Sequence, residues 1–186
     1  MELMTERLVL REFVTEDFEA VHAYASNKEN VRYMIWGPNS EEDTRDFILF
    51  CMERGRENPR LKYDWAVTLK DGDGPGKLIG GCGIYLDESR RTGELGWILH
   101  RDYWKQGIMA EAARTMIDYG FTVLNLHRIY SACNGENYGS YRVMEKCGMR
   151  KEAHFIQSRY GRVGDRHSWY DECHYGILQD EWRVRR

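Results

Sequence analysis

The 186-residue sequence predicts a mixed α/β layer structure, a mostly antiparallel sheet of about seven strands with helices on both faces. Three observations predict it. Short β-branched and aromatic runs alternate with segments whose apolar residues recur at helical spacing. Glycine-bearing turns join neighbouring strand runs. A hydrophobic content of 42% over this length closes a sizeable core without disulfides or metals. No internal repeat and no linker divides the chain, so residues 1–186 read as a single domain.

The first run, Arg7 to Phe13, alternates charge with apolar character and reads as a strand. Thr15 can then cap a helix through Phe18, Val21, His22 and Ala25, and Ser40 with Asp43 forms a capping box before the helix of Phe47, Ile48, Cys51 and Met52. Between them, Tyr33 to Pro38 is an aromatic and methionine loop, which by itself could plug the core under the sheet. Trp65–Leu69 and Leu78–Leu86 are strands joined by the glycine-rich turn Asp71 to Gly76. That turn lacks the Lys-Ser/Thr ending of a P-loop and no helix follows it, so it is a hairpin. A second turn, Asp87 to Gly93, leads to a central strand with Glu94 near its start.

Tyr103 to Ala112 is a short loop that runs into a strong helix, with Ala113, Met116, Ile117, Gly120, Phe121 and Leu124 on one apolar face. The helix therefore begins near Gly107 to Ala110. A helix start leaves N–H groups without intrahelical partners and carries partial positive charge, so a pyrophosphate can be held there by main chain. Arg128–Cys133 reads as a strand. Asn137 is a good N-cap for a helix from Tyr138 to Cys147. Strands at Arg150–Ser158 and Ser168–Leu178 close the C-terminal side, with an irregular charged loop, Arg159 to His167, between them.

The formal charge of −3 (27 minus 30) argues for neither nucleic acid nor a membrane surface as partner. Basic residues at Arg90 and Arg91 and at Arg183, Arg185 and Arg186 read as solvated surface. Five cysteines are widely spaced, odd in number and form no C-x-x-C, which suggests free thiols in a reducing compartment and no metal site. His154, His167 and His174 make no H-x-x-x-H pattern. The first residues lack the apolar core of an export signal and no stretch is long enough to span a bilayer, so the expected location is cytoplasmic.

The order Trp-x-x-Gly-x-x-Ala-Glu-Ala at Trp104 to Ala112, helix, strand, Asn137-x-x-Ser140, then Glu145-Lys146-Cys147-Gly148-Met149 resembles the GNAT superfamily of N-acetyltransferases. Within it the chain looks most like the RimJ/RimL branch, which acetylates N-terminal amines of ribosomal proteins; Thr5–Arg11 resembles that branch's first strand and Gly93–Leu99 its central one. The resemblance implies a sheet splayed at its centre into a cofactor cleft, with acetyl-CoA as co-substrate and no metal. It implies that Trp104 and the amides around Lys105, Gln106, Gly107, Ile108, Met109 and Ala110 hold the pyrophosphate. Trp97, Ile98 and Leu99 would pair with the pantetheine arm, and Asn137 and Ser140 would face the thiol. It also places the Tyr33–Pro38 loop at one wall of the acceptor site. Trp104 and Met109 stand where many members have Gln or Arg and Gly or Ala.

The tyrosine that many members use to protonate the leaving thiolate corresponds to Met144, which cannot donate. Ser140 and, after it, Tyr141 are the candidates for that task. The acceptor amine must lose a proton before attack, and Glu94 is the natural base, since partial burial on its apolar strand would raise its pKa. Its other reading is a strand-entry charge paired with Arg91. The implied acceptor is a protein or peptide N-terminus, with a polyamine or an aminoglycoside as alternatives; Glu41, Glu42, Asp43 and Asp46 offer a patch that a polycation would favour. The loss of the tyrosine at Met144 also keeps open an acyl-CoA-binding module without turnover. Monomer and homodimer are both open.

Overall fold

In the computed structural model of the chain, which describes residues 2–72, 74–163 and 166–184, eight strands make one sheet. They are β1 Leu3–Met4, β2 Leu8–Arg11, β3 Lys62–Asp71, β4 Gly74–Leu86, β5 Thr92–Leu99, β6 Arg128–Asn134, β7 Arg150–Val163 and β8 Arg166–Leu178. Their spatial order is β1-β2-β3-β4-β5-β6-β8-β7. Every junction is antiparallel except β5–β6. A parallel pair needs a crossover, and the helix α3, Ile108–Thr122, supplies it. The other helices are α1 Phe18–Ala25, α2 Glu41–Gly55, α4 Tyr138–Lys146 and α5 Gln179–Arg183.

Alternation along the strands sends successive side chains into two cores. On β3, Trp65 and Val67 join the core under α3 and α4, whereas Ala66 joins the one under α1 and α2. Helix α3 buries the face read from the sequence, Met116 and Ile117 completely. Gly120 lets it approach the sheet, because a Cβ there would stand 2.7 Å from Ile129 and 2.9 Å from Ile84.

The central split has a local cause. Strands β5 and β6 pair only at Thr92↔Arg128, Gly93↔Ile129 and Glu94↔Tyr130. The next residue of β6, Ser131, donates its hydroxyl to the Leu95 carbonyl at 2.8 Å, so a side chain occupies the place of the next ladder bond. Beyond it, Gly96–Leu99 pair with β4 alone among the described residues.

Several elements differ from the sequence-based expectations. The expected first strand, Thr5–Arg11, is broken because the Leu8 N–H donates to the Thr5 hydroxyl at 2.8 Å; the chain turns there, and β1 is the strand beyond the expected seven. Thr15 does not cap the first helix. The Asp17 carboxylate does the work, accepting from the Val14 N–H and from Arg11, after a 3₁₀ turn at Thr15–Asp17. The expected loop at Arg159–His167 is instead a continuation of the β7–β8 hairpin, paired from Arg159↔Tyr170 to Val163↔Arg166 past an irregularity at Gln157. Gly164 and Asp165 of that loop, Asp73 of the glycine-rich turn, and Arg185 and Arg186 of the basic terminus lie outside the described residues. The capping box at Ser40 and Asp43 and the Asn137 cap are present as expected.

Candidate active site

Two left-handed residues, Lys105 (φ +62°) and Gly107 (φ +76°), turn the chain into α3. The first-turn amides of Ile108, Met109 and Ala110 have no acceptor inside the helix and meet the positive end of its dipole. The three side chains are buried, so only their main chain can meet a ligand. The bulk of Met109 goes into the core and leaves the amide row free of it. Lys105 and Gln106 are exposed; the Gln106 amide donates to the Asp102 carbonyl at 2.9 Å. Trp104 acts as a strap, its indole N–H donating to the Leu99 carbonyl at 2.8 Å and pinning the loop to the end of β5.

A carboxylate in the first turn of α3, Glu111, would repel an anion held there. Arg7 neutralises it through a 2.7 Å ion pair and also donates to the Gln106 carbonyl at 3.2 Å. Desolvation pushes the Glu111 pKa up, but bonds from Thr5 and Arg7 outweigh it and hold it below the ordinary value. A cavity of about 660 Å³ beside this turn also carries Arg114 and Lys146. The open β5 edge suits the amide-bearing pantetheine arm of coenzyme A, and the free amides and these cations suit its pyrophosphate and phosphate charges.

Across the split, Asn137 accepts from the Ser140 N–H at 3.1 Å at the start of α4. The Ser140 side chain neighbours the Cys133 thiol on β6. Tyr141 stacks on Tyr175 (centroids 6.5 Å apart, planes 8°) and meets Tyr138 edge-on. Desolvation and the neighbouring Tyr138 push its phenol up. Met144 is completely buried, so that position belongs to the core.

Glu94 is exposed, and the partial burial expected of it is absent because it sits at the last paired position before the split. The Tyr130 hydroxyl donates to it at 3.3 Å, so its partner is a phenol across the split. Its neighbour on the other side is Tyr85 of β4. These three share the sheet face that looks toward α1 and α2.

That face carries a cavity of about 790 Å³ that reaches Gly96, Trp97 and Ile98 of β5. Met34, Trp36, Gly37 and Pro38 form one wall, so the 33–38 loop lines a cavity, and Met34 also packs against the core under α1 and α2. Phe47 and Phe50 of α2 add aromatic surface. Asp43, Asp46 and Asp64 line the cavity, and no basic side chain does among its described lining residues; Glu41 and Glu42 stay outside it. Asp64, 3% exposed, accepts from the Tyr85 hydroxyl at 2.7 Å, with Arg54 at 3.4 Å. The Arg162 guanidinium on the hairpin donates to the carbonyls of Val31 (3.2 Å) and Trp36 (2.9 Å), which fastens β7 to this wall.

Sequence reasoning did not single out Tyr24, Asp64 or Tyr85. An aspartate at the head of the apolar run Trp65–Leu69 was the available signal. His154 pairs with Asp171 and His174 with Glu172, both away from the cavity lining. The five thiols are buried or half-buried, and desolvation pushes Cys133 and Cys147 up to about 12. Among the described residues no metal-binding group of His, Cys, Asp or Glu is gathered, and no helix is long and apolar enough to cross a membrane.

An open strand edge running from a helix start with free amides to a carboxylate-lined cavity is the arrangement an acyl-CoA-dependent transferase needs. The family model described as an acetyltransferase (GNAT) domain matches residues 7–150, and the chain belongs to that family of N-acetyltransferases. The chain is 36% identical over 182 residues to the uncharacterized N-acetyltransferase YnaD of Bacillus subtilis (strain 168), covering 98% of this chain and 99% of that one. A solved GNAT-family acetyltransferase from Bacillus anthracis is also 36% identical, with a TM-score of 0.81 over 97% of this chain and 100% of that one. The spermidine N-acetyltransferase from Vibrio cholerae, solved in complex with CoA and spermine, shares the fold at 21% identity (TM-score 0.78, 96% of this chain and 99% of that one).

Proposed function

We propose that the protein moves the acetyl group of acetyl-CoA to a primary amine of a small cationic acceptor. The observation that carries this reading is the cavity against β5, lined by three carboxylates and aromatic rings with no basic side chain among its described lining residues. Ammonium groups are stabilised by carboxylates and by aromatic faces. The same fold holds CoA and spermine in the Vibrio cholerae enzyme, in keeping with a polyamine-like acceptor.

In this reading the amine nitrogen attacks the thioester carbon, the carbon–sulfur bond breaks, and N-acetyl amine and CoA leave. Backbone amides of α3, from Ile108 to Ala110, hold the pyrophosphate, and the Trp97–Leu99 edge aligns the pantetheine. Glu94 draws a proton from the amine through water, and Ser140 delivers one to the departing thiolate, with Tyr141 second because its ring is committed to stacking.

A protein N-terminus, the acceptor of the RimJ/RimL branch, is the second reading. Ile35, 93% exposed beside the cavity wall, favours it, because a peptide reaches past the cavity and needs apolar surface there. Thiol release from acetyl-CoA over a panel of polyamines, aminoglycosides and N-terminal peptides tests both. Turnover of polyamines above peptides supports the proposal; turnover confined to peptides replaces it with the second reading.

A further inference from the structure

Tyr24 is 1% exposed, lines the acceptor cavity, and has a hydroxyl with no hydrogen-bond partner among the described residues. A buried hydroxyl left unpaired costs free energy in the folded protein. Its position is held by the sheet. The Tyr24 oxygen stands 3.5 Å from where a Cβ on Gly81 would be, and the Tyr85 oxygen stands 2.7 Å from the corresponding point on Gly83. These glycines share one face of β4, two residues apart, so the two phenol oxygens sit over points separated by about 7 Å. The register row Asp64–Gly83–Gly96 continues from there to the open strand at which the thioester is read to lie.

We infer that the Tyr24 hydroxyl and the Tyr85–Asp64 pair form a second amine subsite, which holds a nitrogen of the acceptor other than the one acetylated. The inference rests on the cationic-amine reading and specifies it. Tyr85 donates its only proton to Asp64, which leaves its oxygen as an acceptor facing the cavity. Asp64 supplies negative charge, and Arg54 meets it at the long distance of 3.4 Å. Tyr24 adds a second lone-pair surface. Together these groups match a donor-rich ammonium, and the register step from Gly83 to Gly96 leads from it toward the open strand, where a second nitrogen joined by a short alkyl chain would lie. The acceptor class is therefore a diamine or longer polyamine, anchored at one nitrogen on the cavity floor and acetylated at another.

The test compares putrescine with n-butylamine as acceptors for wild type, Tyr24→Phe and Asp64→Asn, with thermal unfolding measured alongside. Wild type should prefer the diamine in kcat/KM. Tyr24→Phe should raise the putrescine KM by roughly ten- to a hundred-fold, the loss expected for a hydrogen bond to a charged group. The preference ratio should fall with it, while Tm stays level or rises, because the hydroxyl has no partner among the described residues. Asp64→Asn should lower the ratio in the same direction. No wild-type preference for the diamine, or a ratio unmoved in Tyr24→Phe, overturns the subsite. If no amine is acetylated, the cationic-amine reading of the reaction fails by itself. Calorimetric binding of spermine to the CoA-loaded protein then decides the subsite separately: equal affinity in wild type and Tyr24→Phe overturns it, and binding lost in the variant supports it.

Discussion

Glu94 stands where the two halves of the sheet part, with the Tyr130 phenol on one side and Tyr85 in register on the other. If it removes the amine proton, Glu94→Gln lowers kcat by about 10²-fold or more, the usual contribution of a positioned base. Acetyl-CoA affinity by titration should be retained; a kcat within two-fold or so of wild type would remove Glu94 from the mechanism. Glu111 gives a pH-dependent prediction. Its folded pKa is depressed below the ordinary 4.5, so its contribution to stability is present above about pH 4.5 and is lost as pH falls through the folded value. The difference in urea midpoint between wild type and Glu111→Gln should therefore be larger at neutral pH than near pH 3; an equal difference at both would contradict the pairing with Arg7. Glu94 and Ser140 could be named from the chain because they lie at fixed offsets within short motifs. Tyr24 could not, since a tyrosine on the apolar face of a helix reads as core until its oxygen is seen to lack a partner.

At the scale of elements, the entry to α3 depends on backbone that most residues resist. A Cβ at Gly107 would meet nothing nearer than Arg7 at 3.8 Å, so space is available and the cost of Gly107→Ala is its φ of +76° alone. That cost is about 1–2 kcal/mol. The expected outcome is a matching loss of stability in denaturant melts together with weaker acetyl-CoA binding, because the turn that aims the amides relaxes. Unchanged acetyl-CoA affinity would show that those amides do not hold the pyrophosphate. Local devices such as the Ser40–Asp43 box and the Asn137 cap were legible because every partner lies within three residues. The outer part of the β7–β8 hairpin, Arg159 to His167, was not. Strand β7 is mostly exposed and lacks the one-sided burial that writes a period of two into a sequence.

Over the whole molecule, the carboxylate-lined cavity is assembled from segments far apart in the chain, and the Arg162 guanidinium spans the two halves. Arg162 leaves the hairpin paired to β6 and grips the carbonyls of the loop that walls the cavity beside β4 and β5. Arg162→Ala should raise the acceptor KM several-fold while acetyl-CoA affinity stays close to wild type. Amide exchange in residues 31–37 should speed up; unchanged exchange there would show that the wall holds without the hairpin. The layered sheet and helix α3 could be read from periodicity, whereas the parallel crossover that α3 makes and the charge of the cavity could not. Asp43 and Asp46 lie well before Asp64 in the chain and join it at one cavity only once α2 has packed over β3. The sheltered thiols have a practical consequence. Cys51, Cys82, Cys147 and Cys173 are buried and Cys133 is half-buried beside Ser140, with burial holding Cys133 and Cys147 as protonated thiols at neutral pH. A disulfide-exchange dye added to the folded enzyme should therefore stay nearly colourless until CoA is produced, and the same dye in denaturant should reveal five equivalents per chain.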